Sequence, residues 1–251
     1  MCSESCSPKR VMVFTVAVNY YDKVFSQNIS SQRNYASRCG YEYYCFSTDR
    51  WLDKTVAAWL KIALINEWLA RDYDYVMFID ADCFVAADTP RFECVLKTHK
   101  HVYLAKGFSG RVNSGMMILR NSKESKGLIW KLLVNCESRV AGADWGENGH
   151  VIYYTNNQPW LEVLDRCWNN NTFLDMSDFI RHYCAGTPFR ERYPFQLMEQ
   201  YYYTLLKLRL KYRRVLLRIG GMWGKRKPLN LKAQLVAEMD LFQQSIDSKK
   251  A

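Results

Sequence analysis

Short apolar runs and longer segments of helical period alternate through the first third of the chain. RVMVFTVAV, from Arg10, is a β-branched apolar run without helical spacing, as expected for a buried strand. A polar, helix-compatible stretch follows from about Lys23 to Arg38, with Gly40 placed to cap its end. YEYYCFS predicts a second strand. In KTVAAWLKIALINEWLARD the apolar positions Val56, Trp59, Leu60, Ala63, Leu64 and Leu69 have the spacing of an amphipathic helix. YDYVMFI predicts a third, buried strand. Strand, helix, strand, helix, strand calls for parallel pairing with right-handed crossovers. Beyond it, HVYLAK, NSGMMILR and WLEVL have strand character, while KESKGLIWKLLVNCES and ENGHVIYYTNN read as helices.

The third strand runs into a charged motif, YVMFIDADCFV. On an extended chain, residues i and i+2 project to one face, which predicts that Asp80 and Asp82 hold their charges side by side. Carboxylates that close repel unless a cation lies between them, and hard oxygen ligands suit Mg²⁺ or Mn²⁺. A turn satisfied by backbone N–H groups and water is the bland alternative. Position favours the metal, because ligands of open α/β sheets bind beyond the carboxyl ends of the strands. Of the four histidines, His99 and His101 flank a lysine and His150 falls in a helical segment, so none of the three is placed at a strand end, and His182 in FIRHYCAGTPF, taken alone, reads more readily as structural or solvated than as a ligand.

Composition narrows the class. With 251 residues, 49% hydrophobic and 24% charged, the chain is globular and long enough for one large α/β domain. MCSESCSPKR lacks the features of a signal peptide, and no apolar stretch near the start spans a bilayer, so a cytoplasmic protein is expected. Nine irregularly spaced cysteines without Cys-x-x-Cys read as buried thiols, and the sequons at Asn28 and Asn170 as chance matches. The net charge of +10 is localised. Ten basic and no acidic residues fall between Gln200 and Ala237, leaving 25 of each sign elsewhere. Within that segment Lys207, Lys211, Arg214 and Arg218 share one helical face and Leu205, Leu208, Tyr212, Val215 and Ile219 another, with Gly220 and Gly221 expected to end the helix before Met222, Trp223 and Lys225-Arg226-Lys227. This pattern predicts a peripheral contact with an anionic membrane surface through residues 201–228, against the alternative of a solvated helix packed on the domain.

Six segments in order, NYASRCGY, WLKI, FIDADCFV, NSGMMILRNS, WGENGHVIYY and RHYCAG, resemble those of metal-dependent retaining glycosyltransferases of the GT-A fold. The first two look most like the eukaryotic α-galactosyl, α-xylosyl and α-mannosyl transferases. The later four are also similar to the glycogenin and bacterial lipopolysaccharide α-galactosyltransferase group. The resemblance spans roughly residues 10 to 195. It implies a Rossmann-like, mixed but mainly parallel sheet flanked by helices, a catalytic domain over 10–198, and a basic helical C-terminal extension over 199–251. It further implies a nucleotide-sugar donor, UDP-hexose by preference, a glycan or lipid-linked acceptor, Mn²⁺ or Mg²⁺, and no nucleic acid.

Carried over by residue, Asp80 and Asp82 match the metal and nucleotide motif and His182 the histidine that completes the shell. Lys61 matches the basic residue that contacts the donor, and Asn113 the asparagine that reads donor-sugar hydroxyls. Glu147 and Asn148 fall where relatives carry an acidic residue and glutamine beside the reacting sugar. Relatives show His-x-x-Gly and then lysine; here Gly186 follows His182 by four positions and no lysine follows, so Arg190 or Arg192 takes the diphosphate role. A covalent retaining route needs a carboxylate opposite the leaving group, for which Glu147 and Asp144 are the candidates. Glu147 orienting an acceptor hydroxyl, and Asp144 capping a helix from Trp145, are the structural alternatives. Two other functions compete: a phosphatase of the haloacid dehalogenase type, disfavoured because the acidic pair lies on a later strand, and a non-catalytic module bound through its basic segment to membrane or nucleic acid.

Overall fold

The computed structural model describes residues 9–141, 145–174, 176–223 and 229–247, with side chains omitted over 217–223. Asp144 and the Lys225-Arg226-Lys227 cluster lie outside the described residues, as does the side chain of Arg218.

The chain opens with β1 (Val11–Val16), α1 (Tyr21–Val24), α2 (Ser26–Arg38) and β2 (Glu42–Phe46), followed by α3 (Lys54–Leu69), β3 (Tyr75–Ile79) and β4 (Cys83–Val85). Then come β5 (Val102–Lys106), β6 (Val112–Arg120), α4 (Lys123–Val134), α5 (Gly146–Thr155) and β7 (Leu161–Leu164). The described chain closes with β8 (Ile180–His182), α6 (Pro188–Glu191), α7 (Leu197–Trp223) and α8 (Leu231–Asp247). Six strands form one sheet in the order β2-β1-β3-β6-β5-β7, and β4 pairs with β8 in a small second sheet. As the alternation of elements predicts, β1 is parallel to both β2 and β3, and β5 is parallel to β7. The antiparallel pairs β3–β6 and β5–β6 make the sheet mixed.

Period-two alternation sorts the strand side chains into two layers. Val76 and Phe78 of β3 pack with α3, α4 and α8, whereas Tyr75, Met77 and Ile79 pack with Tyr35 and Ala36 of α2 and with Cys83 and Val85 of β4. Gly40 caps α2 as expected: its φ is +69°, and Tyr41 N–H reaches back to Ala36 O at 2.8 Å.

Two expectations need correction. The amphipathic spacing of α3 predicts one wet face, but residues 59 to 65 are all buried. Leu231, Leu235 and Phe242 of α8 belong to the same core cluster as α3 and cover the face that would otherwise meet solvent. Gly220 and Gly221 do not end α7, which continues to Trp223. The described cysteines are free and mostly buried or half-buried, with Cys94 the exposed exception, and both sequon asparagines, Asn28 and Asn170, are buried.

Candidate active site

The acidic pair does not sit on an extended strand. β3 ends at Ile79, and Asp80 to Cys83 form a tight turn closed by Cys83 N–H on Asp80 O at 2.9 Å. The buried amide of Gln32, from α2, donates to Asp80 O at 2.9 Å and Cys83 O at 2.8 Å and so staples the turn to the helix behind it. His182 meets the two carboxylates because β4 pairs with β8 in a register that sets Cys83 opposite His182. Tyr183 N–H also bonds Asp82 O at 2.9 Å. His182 Nε2 thereby lies 3.3 Å from Asp82 Oδ1 and 3.7 Å from Asp80 Oδ2.

These separations suit a shared cation. Two ligands at ~2.1 Å and at right angles about an octahedral ion lie ~3 Å apart, so the three atoms need only small shifts to close on one. Two carboxylates and an imidazole are a donor set for Mn²⁺ or Mg²⁺ rather than a thiophilic ion. Cys83 also lies within reach of Asp82 and His182. Its thiol is a poor ligand, because burial and the nearby carboxylates push its pKa well up and its Sγ lies 3.7 Å from Gly115 O.

A chain of amides fixes which ring nitrogen faces the carboxylates. Asn113 Oδ1 accepts Gly115 N–H and the Asn169 side-chain amide, each at 2.9 Å. Asn169 therefore turns its own Oδ1 to His182 Nδ1, also at 2.9 Å. That oxygen calls for a proton on Nδ1 and turns Nε2 to Asp80 and Asp82, where it pairs with the carboxylates when protonated and would offer its lone pair to a cation once that proton leaves. Gly115 completes the fit: a Cβ there would lie 2.3 Å from the ring carbon Cε1 of His182. The sequence motif contains Gly115, but its steric role is invisible without β8. Asn169 belongs to no motif in the sequence, standing just before the Asn170-Asn171-Thr172 sequon match.

Lys61, on α3, is buried and spans the site. Its Nζ lies 3.0 Å from Glu147 Oε1, 3.4 Å from Asp80 Oδ1 and 3.3 Å from Ser114 O. Burial alone would lower the Lys61 pKa, but Asp80 and Glu147 outweigh it and hold the ammonium charged. Asp80 shifts upward, driven by burial and by Asp82 against the pull of Lys61 and His182. Asp82 shifts the other way: burial opposes its ionisation, but His182 and Arg190 hold it well below the usual carboxylate range. Glu147 and Asn148, in the first turn of α5, are tied to the Asn113–Gly115 segment. Ser114 Oγ donates to Glu147 at 3.3 Å and Ser114 N–H to Asn148 Oδ1 at 2.9 Å.

Arg190 reaches from α6 to Asp82 Oδ2 at 2.5 Å, donates through Nε to Tyr183 O and packs over Phe25. In this arrangement the guanidinium is committed to Asp82, and contact with a phosphate would require it to turn away. Gly186, at φ +80°, shapes the loop between β8 and α6. His150 is structural, as its helical position suggests, with Nε2 facing Asn135 O and Ser138 O.

Asp80, Asp82, His182, Lys61, Asn113, Glu147 and Asn148 line one cavity of about 570 Å³. Val18, Asn19, Tyr21 and Trp51 also line it, Tyr21 next to Arg190, and Leu206, Leu210 and Arg214 of α7 form part of its wall. Asn19 and Tyr20 have positive φ after β1, and the Asn19 side chain bonds both N–H and C=O of Leu52, joining two loops that flank the cavity. The indole Nε1 of Trp51 is buried without a hydrogen-bond partner among the described residues.

No family model matches the chain, and no curated protein does. Solved structures do. A glycosyltransferase involved in the glycosylation of the major capsid of PBCV-1 superposes with a TM-score of 0.60 at 12% identity, over 78% of this chain and 99% of its own. The glycosyltransferase GlyE of Streptococcus pneumoniae TIGR4 gives 0.53 at 14% identity, over 80% of this chain. Its apo form gives 0.53 as well. The chain spans 60% of the length of GlyE. The architecture is the Rossmann-like GT-A α/β fold, as the sequence resemblance implies. A fold by itself hosts many chemistries, so activity has to be argued from the site.

Proposed function

We propose that the protein is a retaining glycosyltransferase that moves a sugar from a nucleotide-diphosphate donor, a UDP-hexose by preference, to a glycan or lipid-linked acceptor with the help of Mn²⁺ or Mg²⁺. The observation that carries this reading is the meeting of Asp80, Asp82 and His182 at one end of a cavity whose wall also holds Lys61, Asn113 and Glu147. A divalent ion held there would neutralise the charge that develops on a departing nucleoside diphosphate. Lys61, held charged, adds electrostatic stabilisation at the same end. Asn113, Ser114 and Asn148 form the polar wall against which a donor sugar lies. Trp51 also lines the cavity, and its indole N–H, buried and without a partner among the described residues, would serve as a donor to a nucleobase once the ring turns toward it.

Retention requires the acceptor oxygen to bond the anomeric carbon on the face that the diphosphate leaves. Glu147 already shares its charge with Lys61 and accepts from Ser114 Oγ, an arrangement better suited to orienting the acceptor hydroxyl than to attacking the sugar. We therefore favour same-face displacement over a covalent intermediate on Glu147. The resting ion pair of Arg190 with Asp82 supports a part in setting the Asp82 carboxylate, with Oδ1 left for the metal side.

The test is a thermal-shift and donor-hydrolysis screen of nucleotide sugars with and without Mn²⁺. Stabilisation by a UDP-sugar that appears only with the metal, accompanied by slow release of UDP, is the expected result. Hydrolysis of simple phosphate esters with no response to any nucleotide sugar would overturn the reading.

A further inference from the structure

Helix α7 faces the body of the protein on one side and solvent on the other. The inner side is set by Leu206, which is buried, by Glu199, which accepts from Ser26 Oγ and the Gln27 backbone at 2.9 Å, and by Arg213, paired with Asp53 at 2.9 Å. The outer side carries Leu197, Tyr201, Leu208, Tyr212 and Val215, which at steps of four, seven, four and three residues fall along a single stripe. Leu197 is 91% exposed, Leu208 58% and Tyr212 65%, so no described residue covers the stripe. The apolar positions that share a face in the sequence, Leu208, Tyr212 and Val215, are thus turned to solvent and not to the body of the protein.

Cations edge the stripe. On a helical wheel Lys207 and Lys211 lie along one border, while Arg209 on the other side turns back to Tyr20 and stacks over Trp51. Glu199 is the only acidic residue in the helix and is turned inward. Among the described residues the helix makes one salt bridge, Arg213 to Asp53, which leaves the border cations without carboxylate partners. No helix of the described residues is long and apolar enough to cross a membrane. An apolar stripe edged by lysines on a helix of this length is the pattern of one that lies in the plane of a bilayer surface.

We propose that the outer face of α7, over Leu197–Leu216, docks on an anionic lipid bilayer. Leu197, Leu208 and Val215 enter the headgroup boundary, Tyr201 and Tyr212 lie at its level, and Lys207 and Lys211 meet lipid phosphates. Charge selects this occupant. A second copy of the chain laid against the stripe would bring two cationic borders together without acidic residues between them. An RNA would meet the cations but leave the central leucines and valine without a role. The same helix supplies Leu206, Leu210 and Arg214 to the wall of the cavity, so docking would hold the candidate active site about one helix diameter, ~10–12 Å, above the lipid surface.

The test uses the full chain in co-sedimentation with vesicles of phosphatidylcholine alone and of phosphatidylcholine with one third phosphatidylserine, and it is independent of whether the protein transfers sugar. Binding is expected to the anionic vesicles only, and to weaken as salt is raised. Replacing Lys207→Gln and Lys211→Gln together should weaken it about thirtyfold, since each cation near an anionic surface contributes about fivefold. Replacing Leu208→Glu and Tyr212→Glu should abolish it. All four side chains are exposed, and unchanged thermal melting of both variants would show that the fold is kept. Failure of the wild-type protein to pellet with anionic vesicles at low salt would overturn the proposal, as would equal binding by either variant. So would a concentration-dependent dimer that Leu208→Glu and Tyr212→Glu dissolve, or RNA binding in place of vesicle binding.

Discussion

The candidate active site and the outer face of α7 use charge in opposite ways. In the site Lys61, Asp80, Asp82, Glu147, His182 and Arg190 are buried or half-buried, and each lies within salt-bridge distance of another. On α7, Lys207, Lys211 and Arg214 are exposed and have no carboxylate within reach among the described residues. A buried charge keeps its ionisation only if a partner offsets the lost hydration, so the site's groups are fixed in number, sign and place. An exposed charge is already satisfied by water and exerts its effect when a partner of opposite sign arrives. Substitutions in the first region should therefore change both chemistry and stability, whereas those at Lys207 and Lys211 should change neither until a surface is offered.

The largest expected effect is at Asp82. Asp82→Ala removes one metal ligand and leaves His182 and Arg190 without their shared anion. Transfer should fall at least ~10³-fold, and stability by about 3 kcal/mol, the cost of breaking a buried pair. Steady-state assay with Mn²⁺ and chemical denaturation measure the two losses; a stable, active variant would dissolve the contrast. Glu147→Gln comes next. Turnover should drop by ~10²-fold while donor affinity, read by calorimetry, changes little, the signature of an interaction made in the transition state or with the acceptor.

Asn169→Ala tests the amide chain behind His182. Without the Asn169 oxygen the Nδ1 proton loses its partner and the ring loses its orientation, so Mn²⁺ affinity should fall 10–100-fold, a typical cost for a residue that supports a metal ligand. Titration of the metal followed by paramagnetic relaxation reads this without activity. An unchanged affinity would mean that packing alone orients the ring.

Asp80→Asn should raise the stability of the metal-free protein. The folded protein holds the Asp80 proton to a higher pH than the unfolded chain does. The contribution of this group to stability therefore falls as pH climbs from the ordinary carboxylate range through the raised value. The asparagine variant escapes that loss, which predicts a gain of ~2–4 °C in Tm at neutral pH that narrows as pH is lowered. Stabilisation by added Mn²⁺ should disappear in the same variant. The smallest effect is on α7: Lys207→Gln with Lys211→Gln should change stability by less than ~0.5 kcal/mol and leave transfer to a soluble acceptor unaltered. A large change in either would place those lysines within the working site.

What could be read from the sequence alone was governed by local periodicity. The buried runs at β1, β2 and β3 and the intervening helices follow from side-chain spacing, and their order dictates parallel pairing. The acidic pair announces itself because two adjacent carboxylates at a strand end need a reason to be there. The solvent-facing side of α3 could not be foreseen. Its cover, α8, comes from the far end of the chain, and amphipathic spacing does not say what packs on the second face.

The same limit applies within the site. Arg190 and Asp82 meet across 108 positions, and the contact of His182 with Asp82 depends on the β4–β8 register. Asn169, Gly115 and Gln32 owe their roles to that register and to the turn it braces. Residue type and short-range spacing are enough to single out the candidate groups of the site and the segments of regular structure. The orientation of His182, the commitment of Arg190 to Asp82, and which stripe of α7 faces water were set by packing alone. Each of these depends on atoms distant in the chain being held within a few ångströms, a condition that packing imposes and local pattern does not record.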